Sequence, residues 1–89
     1  MKSIGLIGGM SFESTAVYYR LINETVRARR GGLASADILL HSVNFAEIVE
    51  MQKAGHWDLA TKVLADSARR LEAAGASCVL ICTNTMHLV

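Results

Sequence analysis

Three short apolar runs, set apart by long stretches of helical periodicity, most constrain what this chain can fold into. Ser3 to Gly8 reads Ser-Ile-Gly-Leu-Ile-Gly and is bounded by Gly8-Gly9. Asp37 to Val43 reads Asp-Ile-Leu-Leu-His-Ser-Val, and Val79 to Ile81 is wholly apolar. All three read as strands, and the wholly apolar run Val79 to Ile81 is of the kind buried in a parallel sheet. Parallel neighbours need a crossover connection of about a dozen residues or more, usually a helix. The spacing predicts helices over about Phe12 to Arg30, Phe45 to Ala54 and Trp57 to Ala74. The order is then β-α-β-α-α-β, followed by what reads as the first turn of another helix at Thr85 to Val89. The expected class is α/β, a three-layer fold of one parallel sheet with flanking helices.

Each helix carries its own signals. In the first, Thr15, Tyr18, Tyr19, Ile22 and Val26 form an apolar stripe, and Arg27, Arg29 and Arg30 occupy the last turn, where cations suit the helix dipole. Gly31-Gly32 stops it. Asn44, with Glu47 three residues on, resembles a capping box for a short helix whose inner face is Phe45, Ile48, Val49 and Gln52. The third helix has a buried stripe of Ala60, Val63, Leu64, Ser67, Ala68, Leu71 and Ala74, closed by Gly75. Three strands make a thin sheet for this class, and the chain reads as a fragment of something longer.

Composition narrows the function classes. The chain has 89 residues, 52% hydrophobic and 19% charged, with no proline. That is one small domain at most, too apolar for disorder. A net charge of +1 gives no case for nucleic acid or an anionic membrane surface. No apolar run approaches the ~20 residues of a membrane span. Met1-Lys2-Ser3-Ile4 lacks the pattern of a signal peptide. Cys78 and Cys82 on one strand would stand about 13 Å apart, too far for a disulfide, which needs under ~7 Å. Free thiols and a cytoplasmic location fit this usage.

The residues with chemistry cluster after the strands. In an open parallel sheet, ligands bind beyond the carboxyl ends of the strands. The first strand exits into Gly8-Gly9-Met10-Ser11, with Ser14 and Thr15 just inside the next helix. Glycines there allow a close approach to an anion, or serve only a tight turn with φ > 0 and Ser11 as N-cap. Neither G-x-G-x-x-G nor a P-loop is present, so a nucleotide site has little support. The third strand runs into Thr83-Asn84-Thr85, either a polar cluster in the ligand crevice or the cap of the next helix. Gln52 lies on an inward helix face and either needs a buried partner or is an amide at a wetted edge. His41 reads as a sheet residue and His56 as a surface residue. His87 reads as a helix-start residue or as one facing the crevice. No metal-ligand spacing joins these histidines to the cysteines.

Three stretches in this order resemble the aspartate/glutamate racemase family. They are Ile4-Gly5-Leu6-Ile7-Gly8-Gly9-Met10-Ser11 with Glu13-Ser14-Thr15; Glu50-Met51-Gln52-Lys53-Ala54-Gly55-His56-Trp57; and Cys82-Thr83-Asn84-Thr85-Met86-His87. The nearest likeness is to the bacterial branch described as L-aspartate/glutamate-specific racemases, and it spans all 89 residues. The resemblance implies the N-terminal part, residues 1–89, of a fold in which two similar α/β domains face each other across a cleft, the second domain lying outside this sequence. It implies cofactor-independent racemisation of a dicarboxylic amino acid, with neither pyridoxal phosphate nor metal. One residue on each domain, usually cysteine, removes or returns the α-proton from opposite faces.

By the same resemblance Met10, Gln52, Thr83, Asn84 and Thr85 contact substrate, with Ser11 a weaker candidate. Most members show Cys-Asn-Thr at the first catalytic position; here Thr83 takes the place of that cysteine. Neighbours on an extended strand point to opposite faces, so if Thr83 faces the cleft, Cys82 faces the packing side. The catalytic position is therefore carried onto Thr83. An alcohol is a weaker base than a thiol, whose pKa of ~8.5 can be tuned towards neutrality. The 89 residues alone are expected to be inactive, because two-base racemisation needs both faces. An unfinished sheet exposes apolar edge and face, which favours a homo-oligomer, a dimer. The alternatives are a related isomerase of the hydantoin racemase or maleate isomerase type, and a non-catalytic dicarboxylate-binding module.

Overall fold

The computed structural model describes residues 2–82. Six elements follow in the expected order: β1 (Ile4–Gly8), α1 (Phe12–Arg30), β2 (Ile38–Ser42), α2 (Phe45–Lys53), α3 (Trp57–Ala73) and β3 (Cys78–Ile81). All three strands are parallel and lie in the order β2-β1-β3. Leu6 pairs with Leu40 on one side and Leu80 on the other, so the first strand of the sequence is the middle strand of the sheet.

That order dictates where the helices go. The step from β1 to β2 runs one way across the sheet, and the step from β2 back over β1 to β3 runs the other way. Right-handed crossovers in opposite directions put their helices on opposite faces. Alternation along β1 shows the result. Ile7 joins a core with Met10, Ile48 and Leu71, packed by Val63, Leu64 and Ala68 of α3. Its neighbour Gly8 faces Thr15 of α1. The fold is thus α/β with α1 on one face and α2–α3 on the other.

The third helix buries the expected stripe, with Ala60, Ser67 and Leu71 buried and Val63, Leu64 and Ala68 half-buried; Ala74, at the frayed end, is exposed. The first helix departs from expectation. Of its stripe only Thr15 is buried, while Tyr18, Ile22 and Val26 are half-buried and Tyr19 is 53% exposed. Adjacent helical residues diverge by about 100°. Tyr18 and Tyr19 flank the Thr15–Ile22–Val26 line on opposite sides, and one contact face cannot cover both. Asn44 caps α2 as expected, but its Oδ1 accepts from Ala46 N at 3.0 Å rather than from Glu47. Part of the apolar surface is uncovered, as a three-stranded sheet implies. Leu40 and Leu80 are exposed, and an apolar groove between α3 and β3 is lined by Trp57, Leu64, Ala68, Val79 and Ile81.

Candidate functional site

The strand order reverses direction at β1, so its carboxyl end and that of β3 flank the topological switch point, where α/β sheets open a crevice. Main-chain hydrogen bonds hold the strand ends level. Val43 N donates to Gly8 O at 2.8 Å just past β2, and Cys82 N donates to Ile7 O at 2.9 Å just past β3. The segment Gly9–Ser11 and the residue Cys82 therefore leave the sheet side by side.

Gly8 and Gly9 are required by packing within the chain. A Cβ on Gly8 would meet Thr15 Cγ2 at 2.5 Å, and one on Gly9 would meet Val43 O at 2.2 Å. Gly9 also adopts φ +90, a conformation that side chains disfavour. A turn with φ > 0 is realised at Gly9. Ser11 heads α1 with φ 65, yet its side chain makes no capping hydrogen bond. Thr15 makes a different tie: its Oγ1 accepts from Gly9 N at 2.9 Å in a buried contact and donates to Ser11 O at 3.4 Å.

The expected site residues are placed as follows. Met10 is only 1% exposed, and its side chain lies in the core with Ile7, Ile48 and Leu71. Its main chain, not its thioether, remains at the strand end. Gln52 follows the buried Ile48 by one turn on the same face of α2 and is half-buried, between the two readings of its environment. Met10 and Ile48 share one core, so the loop after β1 and the face of α2 bearing Gln52 are neighbours. Thr83, Asn84, Thr85 and His87 lie outside the described residues.

Cys82 is 0% exposed, and burial pushes its thiol above the ordinary value of 9.0. A thiol held neutral in this way makes a poor base. Cys78 is exposed, and both cysteines are free. His41 is a half-buried sheet residue, but it has a partner the sequence did not suggest: its Nδ1 makes a short hydrogen bond with Ser67 Oγ, joining β2 to α3. The signal was available, since Ser67 interrupts an otherwise apolar stripe. His56 is exposed at the start of α3. Among the described residues no group of three or more His, Cys, Asp or Glu is placed to hold a metal ion, and no helix is long and apolar enough to cross a membrane.

A parallel sheet wound on both faces, with a glycine-rich turn after β1 at the switch point, places this chain among open α/β domains. Within that class the chain belongs to the Asp/Glu/hydantoin racemase family, whose model it matches over residues 7–89. It superimposes on the crystal structure of a candidate Asp/Glu racemase from Yersinia pestis with a TM-score of 0.95 and 54% identity, covering 100% of this chain and 39% of that one. An aspartate racemase homologue from Pyrococcus horikoshii gives a TM-score of 0.88 and 37% identity, again over 100% of this chain and 38% of the other. The chain thus spans about two-fifths of the length of the solved structures it matches.

Proposed function

We propose that this chain forms the first half of a cofactor-independent racemase that interconverts the L- and D-forms of aspartate or glutamate, with a second domain completing the cleft. The observation that carries the reading is the convergence of the turn after β1 with the end of β3 at the switch point. There Gly9–Ser11 presents main chain beside the residue that leads into Thr83-Asn84-Thr85. Family membership and the two solved structures support it.

In this reading Met10 contributes its main chain to substrate binding, because its side chain is sunk in the core. Gln52, Asn84 and Thr85 supply polar side chains that orient the two carboxylates. Thr83 stands on one face of the α-carbon as the proton-transferring residue, and the second domain supplies the opposing group. The burial of Cys82 favours Thr83 over Cys82, since a desolvated thiol stays protonated and does not accept the α-proton. Polar groups around the carboxylate stabilise the charge that develops when the proton leaves.

The test is deuterium incorporation at the α-carbon in D2O, using the protein expressed from its whole reading frame. L- and D-aspartate, L- and D-glutamate and a 5-substituted hydantoin serve as substrates. Exchange into either amino acid is expected, with none from residues 1–89 alone. Exchange into the hydantoin only would move the chain to another branch of its family. Tight dicarboxylate binding without exchange would make it a binding module.

A further inference from the structure

One hydroxyl ties together the whole turn at the carboxyl end of β1. Thr15 is 6% exposed and is the buried residue of α1. Its Oγ1 accepts from Gly9 N at 2.9 Å and donates to Ser11 O at 3.4 Å. A hydroxyl has one proton and two lone pairs, so it serves both partners at once. Its methyl group fills the space left by the missing side chain of Gly8, where a Cβ would come within 2.5 Å of Cγ2. On the other side of the turn, Gly9 lies against Val43 and Ser42. Between the two tied residues, Met10 is anchored in the core.

Ser11 shows what this framework imposes. Among the described residues it is the one non-glycine with positive φ, at 65. Such a conformation persists where the surroundings over-determine it. The Thr15 hydroxyl on the Ser11 carbonyl is part of that determination.

Resting on the racemase reading above, we infer that Thr15 is a positioning residue for the reaction: its hydroxyl fixes the main chain of Met10 and Ser11 at the strand end where a substrate carboxylate is received. It acts through the turn and does not itself touch substrate. Without the hydroxyl, the buried Gly9 N–H loses its acceptor and the turn relaxes towards arrangements that satisfy it.

The experiment compares Thr15→Val, which keeps the shape and loses the hydroxyl, with Thr15→Ser, which keeps the hydroxyl. Both are made in the protein from its whole reading frame, and racemisation of aspartate and glutamate is assayed well below the unfolding temperature of each variant. Thr15→Val is expected to raise KM about tenfold with kcat changed less than about threefold, and Thr15→Ser to stay within about threefold of the parent in KM. Amide exchange at Gly9 should quicken in the Val variant and not in the Ser variant. An active Thr15→Val protein with unchanged KM overturns the inference, as does a rise in Thr15→Ser as large as that in Thr15→Val, which would assign the effect to loss of side-chain packing rather than to the hydroxyl. If Thr15→Val does not fold, Thr15→Ala measured against Thr15→Ser carries the test, because that pair differs only in the hydroxyl. A higher KM in Thr15→Ala than in Thr15→Ser supports the inference and an equal one overturns it. A parent protein that turns over neither amino acid removes the racemase reading and this inference together. An active parent with an indifferent Thr15→Val removes this inference alone.

Discussion

Helices α1 and α3 are similar in length, 19 and 17 residues, and cover opposite faces of one sheet, yet they are held in opposite ways. The third helix is fastened along its length, through Ala60, Ser67 and Leu71 and a half-buried row between them. The first has one buried residue, Thr15 in its first turn; further along, Tyr18, Ile22 and Val26 are half-buried, Asn23 Oδ1 accepts from Ala36 N at 2.8 Å, and Val17, Tyr19 and Leu21 stand about half-exposed. Distributed burial makes a scaffold. The deepest burial of α1 instead lies beside the switch point, where Thr15 joins the helix to the turn after β1.

The sharpest way to break this comparison is Gly9→Ala. The added methyl meets the Val43 carbonyl oxygen at 2.2 Å, and φ is +90. Both obstacles are backbone, so a loss of about 3 kcal/mol or more is expected. A loss under ~1 kcal/mol in urea unfolding would show that the turn yields and does not anchor α1. Next comes Leu71→Ala on α3 against Leu21→Ala on α1. Leu71 is 4% exposed and Leu21 is 50% exposed. Costs of about 2–4 kcal/mol and under ~0.5 kcal/mol are expected, and near-equal values would erase the contrast between the helices.

Ser67→Ala removes the partner of His41 and should cost about 1 kcal/mol. A neutral result would mean that the β2–α3 contact is held by apolar packing alone. The smallest effect concerns pH. Because burial raises the Cys82 thiol, the folded chain holds that proton more tightly than the unfolded chain. Its contribution to stability is whole below the ordinary thiol value of 9.0 and falls as pH rises through the higher folded value. Unfolding between pH 8 and about 10.5 should therefore show a steeper alkaline decline in the parent than in Cys82→Ala. Equal slopes would show a thiol open to solvent.

Much of the fold was legible because strands and helices differ in period. The bounds of α1 were read to the residue, and those of the other elements to within one or two residues. The stripe of α3 could be listed in advance because seven small or apolar residues recur at helical spacing. The face of α1 could not, since Tyr18 and Tyr19 look equivalent in a list but flank opposite sides of the contact line. The candidate site is read from the glycines and short polar residues that follow the strands. Roles within it were less legible. Ser11 stands at the N-cap position with φ 65 and its side chain makes no capping hydrogen bond, while the buried hydroxyl is that of Thr15, which ties Gly9 N to Ser11 O. Met10 was expected to touch substrate, and the core claims its side chain. Thr83, Asn84 and Thr85 lie outside the described residues.

By itself, the sequence determined the parallel α/β class and the order of the elements, because periodicity and turn composition are local properties of a chain. Only the tertiary structure decided that β1 is the middle strand, that Gly8 and Gly9 are demanded by Thr15 and Val43, that Cys82 is buried, and that His41 meets Ser67. Each of these depends on which distant residues share a few ångströms of space, and spacing along a chain does not encode that proximity.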